Sequence, residues 1–164
     1  MKKNQQRRSD CPINFALQTY GDMWSLLIVR DIVYFGKKTY GEFLASEEKI
    51  ATNILASRLA LLEQEGLLLK KPHDSDKRKE MYVLTEKGLD VIPILVEIAE
   101  WSSRYDPQTG APPEWIDLVR TEKPKMIALM RETVRNGGSV FVGPDSVLSK
   151  LEGMKHDKQE PLAI

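Results

Sequence analysis

The sequence predicts a mainly α fold that carries one small β-hairpin and ends in a C-terminal, mostly helical extension. Three observations predict it. Apolar residues recur at three- and four-residue spacing through most of the first 105 positions. That period breaks once, after Gly66, where two short apolar runs flank the charged segment 73–79. A proline- and glycine-bearing stretch, 106–113, then precedes a further pair of helical patterns. The expected organisation is a basic flexible tail over 1–10, one domain over 11–106, and a linker with its extension over 107–164.

Each element has a local reason. Residues 1–10 hold Lys2, Lys3, Arg7 and Arg8 and almost nothing to bury. Pro12 suits the first turn of a helix, where its missing N–H costs nothing, and that helix ends near Gly21. Asp22 caps a second helix built on Trp24, Leu27, Ile28 and Ile32, which Gly36 stops. A brief third helix over 40–46 buries Phe43 and Leu44. A turn at 47–49 leads to a longer helix over 52–65, with Leu55, Leu59 and Leu62 as its buried stripe and Gly66 past its end. Residues 67–71 and 80–85 are the two strands of the hairpin.

A helix over 86–105 follows, apolar around much of its circumference, which implies burial on two sides: against its own domain and against a partner. Pro93 is expected to kink this helix without ending it. The extension reads as helices over 114–120 and 125–136, a short strand over 139–142, a small helix near 145–151 and a frayed end. Its apolar residues, among them Trp115, Ile116, Val119 and Met130, need a surface to cover, and reinforcement of a dimer is the expected use.

Composition bounds the function classes. With 164 residues and 24 basic against 24 acidic side chains, the chain fits one domain with an appendix and is no uniformly basic coat protein. A single cysteine excludes an intramolecular disulfide and a multi-cysteine zinc site. No apolar run of signal-peptide length follows the basic start, and none approaches the roughly 18 residues of a membrane span. A cytoplasmic protein without membrane contact is the expectation. The two histidines, His73 and His156, sit in the hairpin loop and near the C-terminus, so no nucleophile–histidine pair, metal cluster or cofactor is expected, and no enzyme.

A short helix, a turn, a longer helix and then a charged hairpin is the order of a winged helix-turn-helix. The longer helix fits a major groove, where base edges are distinguishable, and the hairpin's cations neutralise phosphates. The face opposite Leu55, Leu59 and Leu62 carries Thr52, Asn53, Ala56, Ser57, Ala60 and Gln64, and the hairpin tip carries Lys77, Arg78 and Lys79. Either feature alone is ordinary, since a polar helix face is usually a solvated one. Their order in one chain favours double-stranded DNA as the partner. A winged helix that serves as a protein-interaction or dimerisation module is the alternative.

Cys11-Pro12 and the run Gly21-Asp22-Met23-Trp24-Ser25-Leu26-Leu27-Ile28-Val29-Arg30 resemble the opening signature of the HxlR family of bacterial transcription regulators. The segment 50–67, with Thr52, Asn53, Ser57, Arg58 and Leu59, is similar to that family's recognition-helix region, and 82–88, Pro93 and Trp101 resemble its last strand and final helix. The resemblance covers roughly residues 11–105. It implies a homodimeric regulator that binds an operator with two related half-sites. Departures are visible: Ala51 stands where the family often has Ser, and Ala60 and Leu61 replace positions that are commonly charged. The wing, Asp74-Ser75-Asp76-Lys77-Arg78, is closer to that of MarR-type regulators, which implies Arg78 in the minor groove with Asp76 beside it.

Candidate DNA-binding residues are therefore Thr39, Thr52, Asn53, Ala56, Ser57, Arg58, Lys77, Arg78 and Lys79. Thr39 and Lys38 are phosphate donors at the start of the third helix. Arg58 serves a phosphate contact or an ion pair with Glu63 or Glu65. In regulators that this chain resembles, a cysteine at the place of Cys11 senses oxidants or electrophiles. A small-molecule or oxidant effector is thus a candidate partner, and a small apolar residue at a helix start is the plainer reading of Cys11.

Overall fold

Proline and aspartate set the first two helix starts. The computed structural model describes residues 8–73 and 79–157, and the tail's Lys2, Lys3 and Arg7 and the wing's Asp76, Lys77 and Arg78 lie outside them. Pro12 opens α1 (Pro12–Tyr20). Asp22 holds the start of α2 (Ser25–Phe35), its Oδ1 accepting the backbone N–H groups of Trp24 at 2.9 Å and Ser25 at 3.0 Å. Gly36 ends α2 at φ 69°, a left-handed conformation that a Cβ disfavours. Then come α3 (Tyr40–Leu44) and α4 (Thr52–Gln64), closed by Gly66 at φ 72°. The antiparallel hairpin pairs β1 (Leu68–Pro72) with β2 (Glu80–Leu84), in a register that sets Leu68 opposite Leu84 and Lys70 opposite Tyr82. The winged helix-turn-helix predicted from element order is the fold observed.

The helix expected over 86–105 is two helices, α5 (Glu86–Leu89) and α6 (Ile92–Tyr105). Pro93 does not kink an unbroken helix; it sits in the first turn of α6. Continuing α5 through it would press the pyrrolidine ring against the carbonyl four residues back and orphan that oxygen. A restart places the proline where neither penalty applies.

The extension forms α7 (Pro113–Thr121), α8 (Lys123–Arg135) and α9 (Val147–Asp157), so the last helix runs further than the sequence pattern suggests. The strand expected over 139–142 does not form. The chain bends there instead, and the N–H groups of Val140 and Phe141 donate to Val33 and Tyr34, carbonyls at the end of α2, at 2.9 and 3.0 Å. A strand needs a neighbouring strand, and here the free acceptors belong to a helix end.

The apolar residues of the extension are spent inside the chain. Trp115, Met126, Met130 and Val140 are buried in the same cluster as Val29 and Val33 of α2 and Leu95 and Val96 of α6. Trp115 meets Tyr34 edge-on at 6.2 Å between ring centroids and Phe141 at 5.4 Å. Glu100, a buried carboxylate on α6, is reached from α8 by Lys123 at 2.6 Å and from its own helix by Arg104. Truncating Trp115 therefore removes packing from a core that both halves share. We expect Trp115→Ala to cost about 3–5 kcal/mol, the usual range for such a cavity, in a single unfolding transition monitored by urea titration. Two transitions, with only the first affected, would mean that the halves fold separately.

Candidate nucleic-acid interface

Helix α4 divides cleanly into two faces. Leu55, Leu59 and Leu62 are buried to 2% exposure or less, while Thr52, Asn53, Ala56, Ser57, Ala60 and Gln64 are exposed. Ala51 occupies the N-cap without a side-chain bond, as its methyl group dictates, and the hydroxyl of Tyr40 donates to the Thr52 carbonyl at 2.8 Å. Ile54 packs against the core, and Leu61 is half-buried. The exposed face thus offers short polar groups, two methyl groups and two amides, with little side-chain bulk to hold a groove away.

The start of α3 is held by a capping box, Thr39-x-x-Glu42, a spacing visible in the sequence though not among the features that predict this helix. Glu42 Oε2 accepts the backbone N–H groups of Lys38 at 2.8 Å and Thr39 at 2.7 Å, and the Thr39 hydroxyl donates to it at 2.9 Å. Burial raises the Glu42 pKa, but these hydrogen bonds and the charge of His73 outweigh it and leave the carboxyl below its ordinary value. Thr39 and Lys38, expected as phosphate donors, are both engaged in the free protein: Lys38 Nζ donates to the Gly137 carbonyl at 2.8 Å.

Arg58 pairs with neither Glu63 nor Glu65. Its Nε lies 3.3 Å from Asp22 Oδ1, so it ties the reading helix to the carboxylate that receives the Trp24 and Ser25 N–H groups at the start of α2. The packing of α1 and α2 on α4 brings these two residues together; spacing along α4 offers only local partners. Burial raises the Asp22 pKa, yet the Ser25 hydroxyl, the backbone N–H groups of Trp24 and Ser25 and the nearby Arg58 bring it below the ordinary value.

The base of the hairpin loop is closed by the His73 N–H donating to the Lys79 carbonyl at 2.9 Å, and Lys79 is exposed there. Between that base and the start of α3 lies a groove of about 680 Å³ lined by Thr39, Gly41, Glu42, His73, Lys79 and Tyr82. Cys11 is exposed at the N-cap of α1, its backbone N–H donating to Ser9 Oγ at 3.4 Å. Among the described residues no cluster of His, Cys, Asp or Glu is arranged to hold a metal ion, and no helix is long and apolar enough to cross a membrane.

The HxlR-like helix-turn-helix family profile matches residues 19–109, more than half of the chain and the whole of this surface from α2 to the wing. The chain belongs to that family. HxlR-like relatives include HTH-type transcriptional regulators of uncharacterized role in Mycobacterium bovis and Mycobacterium tuberculosis, each 37% identical over 98 residues, 60% of this chain. The match spans 61% of the length of those mycobacterial relatives. The Bacillus subtilis HTH-type transcriptional regulator YdeP is 27% identical over 58% of this chain and 73% of its own. Among solved structures, the protein PA1607 superposes with a TM-score of 0.58 at 37% identity, over 65% of this chain and 74% of that one. The redox regulator HypR in its oxidized form gives 0.52 at 28% identity, over 57% and 96%. Helices α7–α9 lie outside the matched family segment.

The Asp22–Arg58 pair has a pH signature. A carboxylate whose folded pKa is depressed supplies stability above its unfolded value, about 3.9, and loses it as pH falls through the folded value. Arg58→Met should move the Asp22 midpoint upward and narrow that acid window, read by NMR titration of the side-chain carboxyl. An unmoved midpoint would mean that the pair is not formed in solution.

Proposed function

We propose that this chain is a sequence-specific DNA-binding transcriptional regulator that acts on an operator as a homodimer. One observation carries the reading: α4 buries Leu55, Leu59 and Leu62 and leaves exposed the set of short polar and methyl groups that suits close approach to base edges, with the hairpin cations following it in the sequence. In this reading Thr52, Asn53, Ala56 and Ser57 face the major groove. Lys77, Arg78 and Lys79 meet the backbone or the minor groove, and the groove between α3 and the base of the wing loop takes the strand between them. Thr39 and Arg58 exchange their present partners for phosphate or hold the helices that carry the contacts.

Dimerisation is supported by the apolar residues that the chain leaves uncovered. Ile94, Ile98, Trp101 and Tyr105 lie at four- and three-residue spacing on α6, with Trp101 63% exposed, and Ile13 and Leu17 of α1 are equally open. A stripe of this kind calls for a second copy. The naming of HypR as a redox regulator, together with the exposure of Cys11 at a helix start, supports a response to oxidants or electrophiles through that thiol.

A gel-shift titration against DNA upstream of the chain's own gene tests the core of this. Specific, salt-dependent shifting is expected, whereas a protein-interaction module would give none. Within it, Arg78→Ala should weaken binding to all sequences and flatten the salt dependence by about 0.9 in log–log slope for each phosphate no longer neutralised. Asn53→Ala and Ser57→Ala should each cost roughly 1–3 kcal/mol of discrimination against altered operators instead. Equal affinity of Arg78→Ala and parent would remove the wing from the interface. Diamide treatment should produce a Cys11–Cys11 cross-link or, with a small thiol present, an adduct, and change DNA binding. No covalent change and unaltered binding would leave Cys11 a structural residue.

A further inference from the structure

The extension is not used by the proposed function, yet its hydrogen bonds and ion pairs reach the end of α2, the turn into α3 and the helix that follows the wing. A helix leaves its last four carbonyls without partners inside it. At the end of α2, Ile32 is served by Gly36 N–H at 3.2 Å, but Val33 and Tyr34 are served by Val140 and Phe141 of the extension. Val140 is fully buried, and the Ser139 hydroxyl, bonded to the backbone of Val142, holds the turn that presents it.

Directly beyond this helix end lies the turn 36–39 that enters α3, and within it Lys38 is joined in three directions. Its N–H donates to the α3 cap, Glu42; its carbonyl accepts the Tyr82 N–H of β2 at 2.7 Å; its ammonium donates to Gly137 of the extension at 2.8 Å. A second tie reaches the far end of the wing. Arg135 grips Glu86, the first residue of α5, through two bonds of 2.7 Å, and Arg131 reaches Asp90. Strand β2 is thus tied to the extension twice, through Lys38 at its middle residue Tyr82 and through Glu86 just past its end.

We propose that the C-terminal extension is a clamp that fixes the pose of α3 and the wing against α4, with Lys38 as its positioning residue, so that it sets DNA affinity without touching DNA. This rests on the DNA-binding reading above. The rival role for Lys38 is a direct phosphate contact, and the two differ in kind. A phosphate contact releases counterions and contributes about 0.9 to the salt slope, while a positioning residue shifts affinity equally at every salt concentration.

The test uses the full chain and the variants Lys38→Met, Lys38→Arg and Arg135→Gln, with amide hydrogen exchange measured without DNA and operator binding measured across a salt series. In Lys38→Met we expect Tyr82 amide protection to fall about tenfold, the scale of one hydrogen bond, with core amides of α4 unchanged. Operator affinity should fall by a similar factor with an unchanged salt slope, and Lys38→Arg should restore most of both. Arg135→Gln, which breaks an exposed pair and leaves the core intact, should move both readouts in the same direction; it carries the test if Lys38→Met fails to fold. A slope reduced by about one with Tyr82 protection intact would make Lys38 a phosphate contact and overturn the clamp. So would unchanged protection in both Lys38→Met and Arg135→Gln. If the parent itself shifts no DNA, the functional reading fails, while the exchange measurement still decides whether the clamp exists.

Discussion

Helix α2 is apolar around most of its circumference, and little of it can be left to water. Ile28, Val29, Ile32 and Val33 are all buried, and α4, α6, α8 and β2 each pack against it. The one carboxylate on its inner surface, Asp31, is buried to 3% exposure and is tolerated because Arg30, Lys37 and Ser46 all donate to it. The turn into α3 is anchored by the same carboxylate, since Lys37 follows Gly36 directly. The positions of α4, α6, α8 and β2 all answer the obligation to cover this helix.

Because α4 meets that obligation with three leucines, the face opposite them is released from packing. Large side chains are unnecessary there, which is why alanine, serine, threonine and asparagine can occupy it without leaving a cavity. The burial of one face and the chemical economy of the other are therefore one fact. The wing is placed differently. Its register depends on Leu68 and Tyr82, both buried, and on the turn 36–39 that borders β2. Its exposed strand positions are left to cations such as Lys70, which pairs with Glu80 at 3.2 Å.

The extension answers a shortage of cover. Two carbonyls at the end of α2 and the ring of Tyr34 would face water without it. Backbone donors at 140 and 141 and the indole of Trp115 close that gap. Apolar residues that suggest a surface between subunits are consumed in this way, and the uncovered apolar stripe lies on α6, with α1 beside it in character. Partition of charge runs parallel to this division. The net charge is zero, yet seven cations sit in the segments 1–9 and 77–79, so the remainder carries seven net negative charges.

Element type and order are legible in the sequence because they rest on local rules: the 3.6-residue period of Leu55, Leu59 and Leu62, the stop at Gly36, the change of period after Gly66. So is the polar face of α4, which is simply the complement of its leucine stripe. Features that depend on two distant segments meeting are not legible. Spacing offers Arg58 two glutamates a few residues along the chain, and the tertiary fold pairs it with Asp22. Apolar residues at 139–142 suggest a strand, but the available acceptors belong to a helix end. Pro93 suggests a kink, where the restart after Asp90 costs less. Nothing in the sequence marks Lys38 as a junction, because its three bonds go to α3, to β2 and to the extension. Periodicity is a property of one segment and survives in the sequence; the partner of a charge or a free carbonyl is a property of two, and only packing decides it.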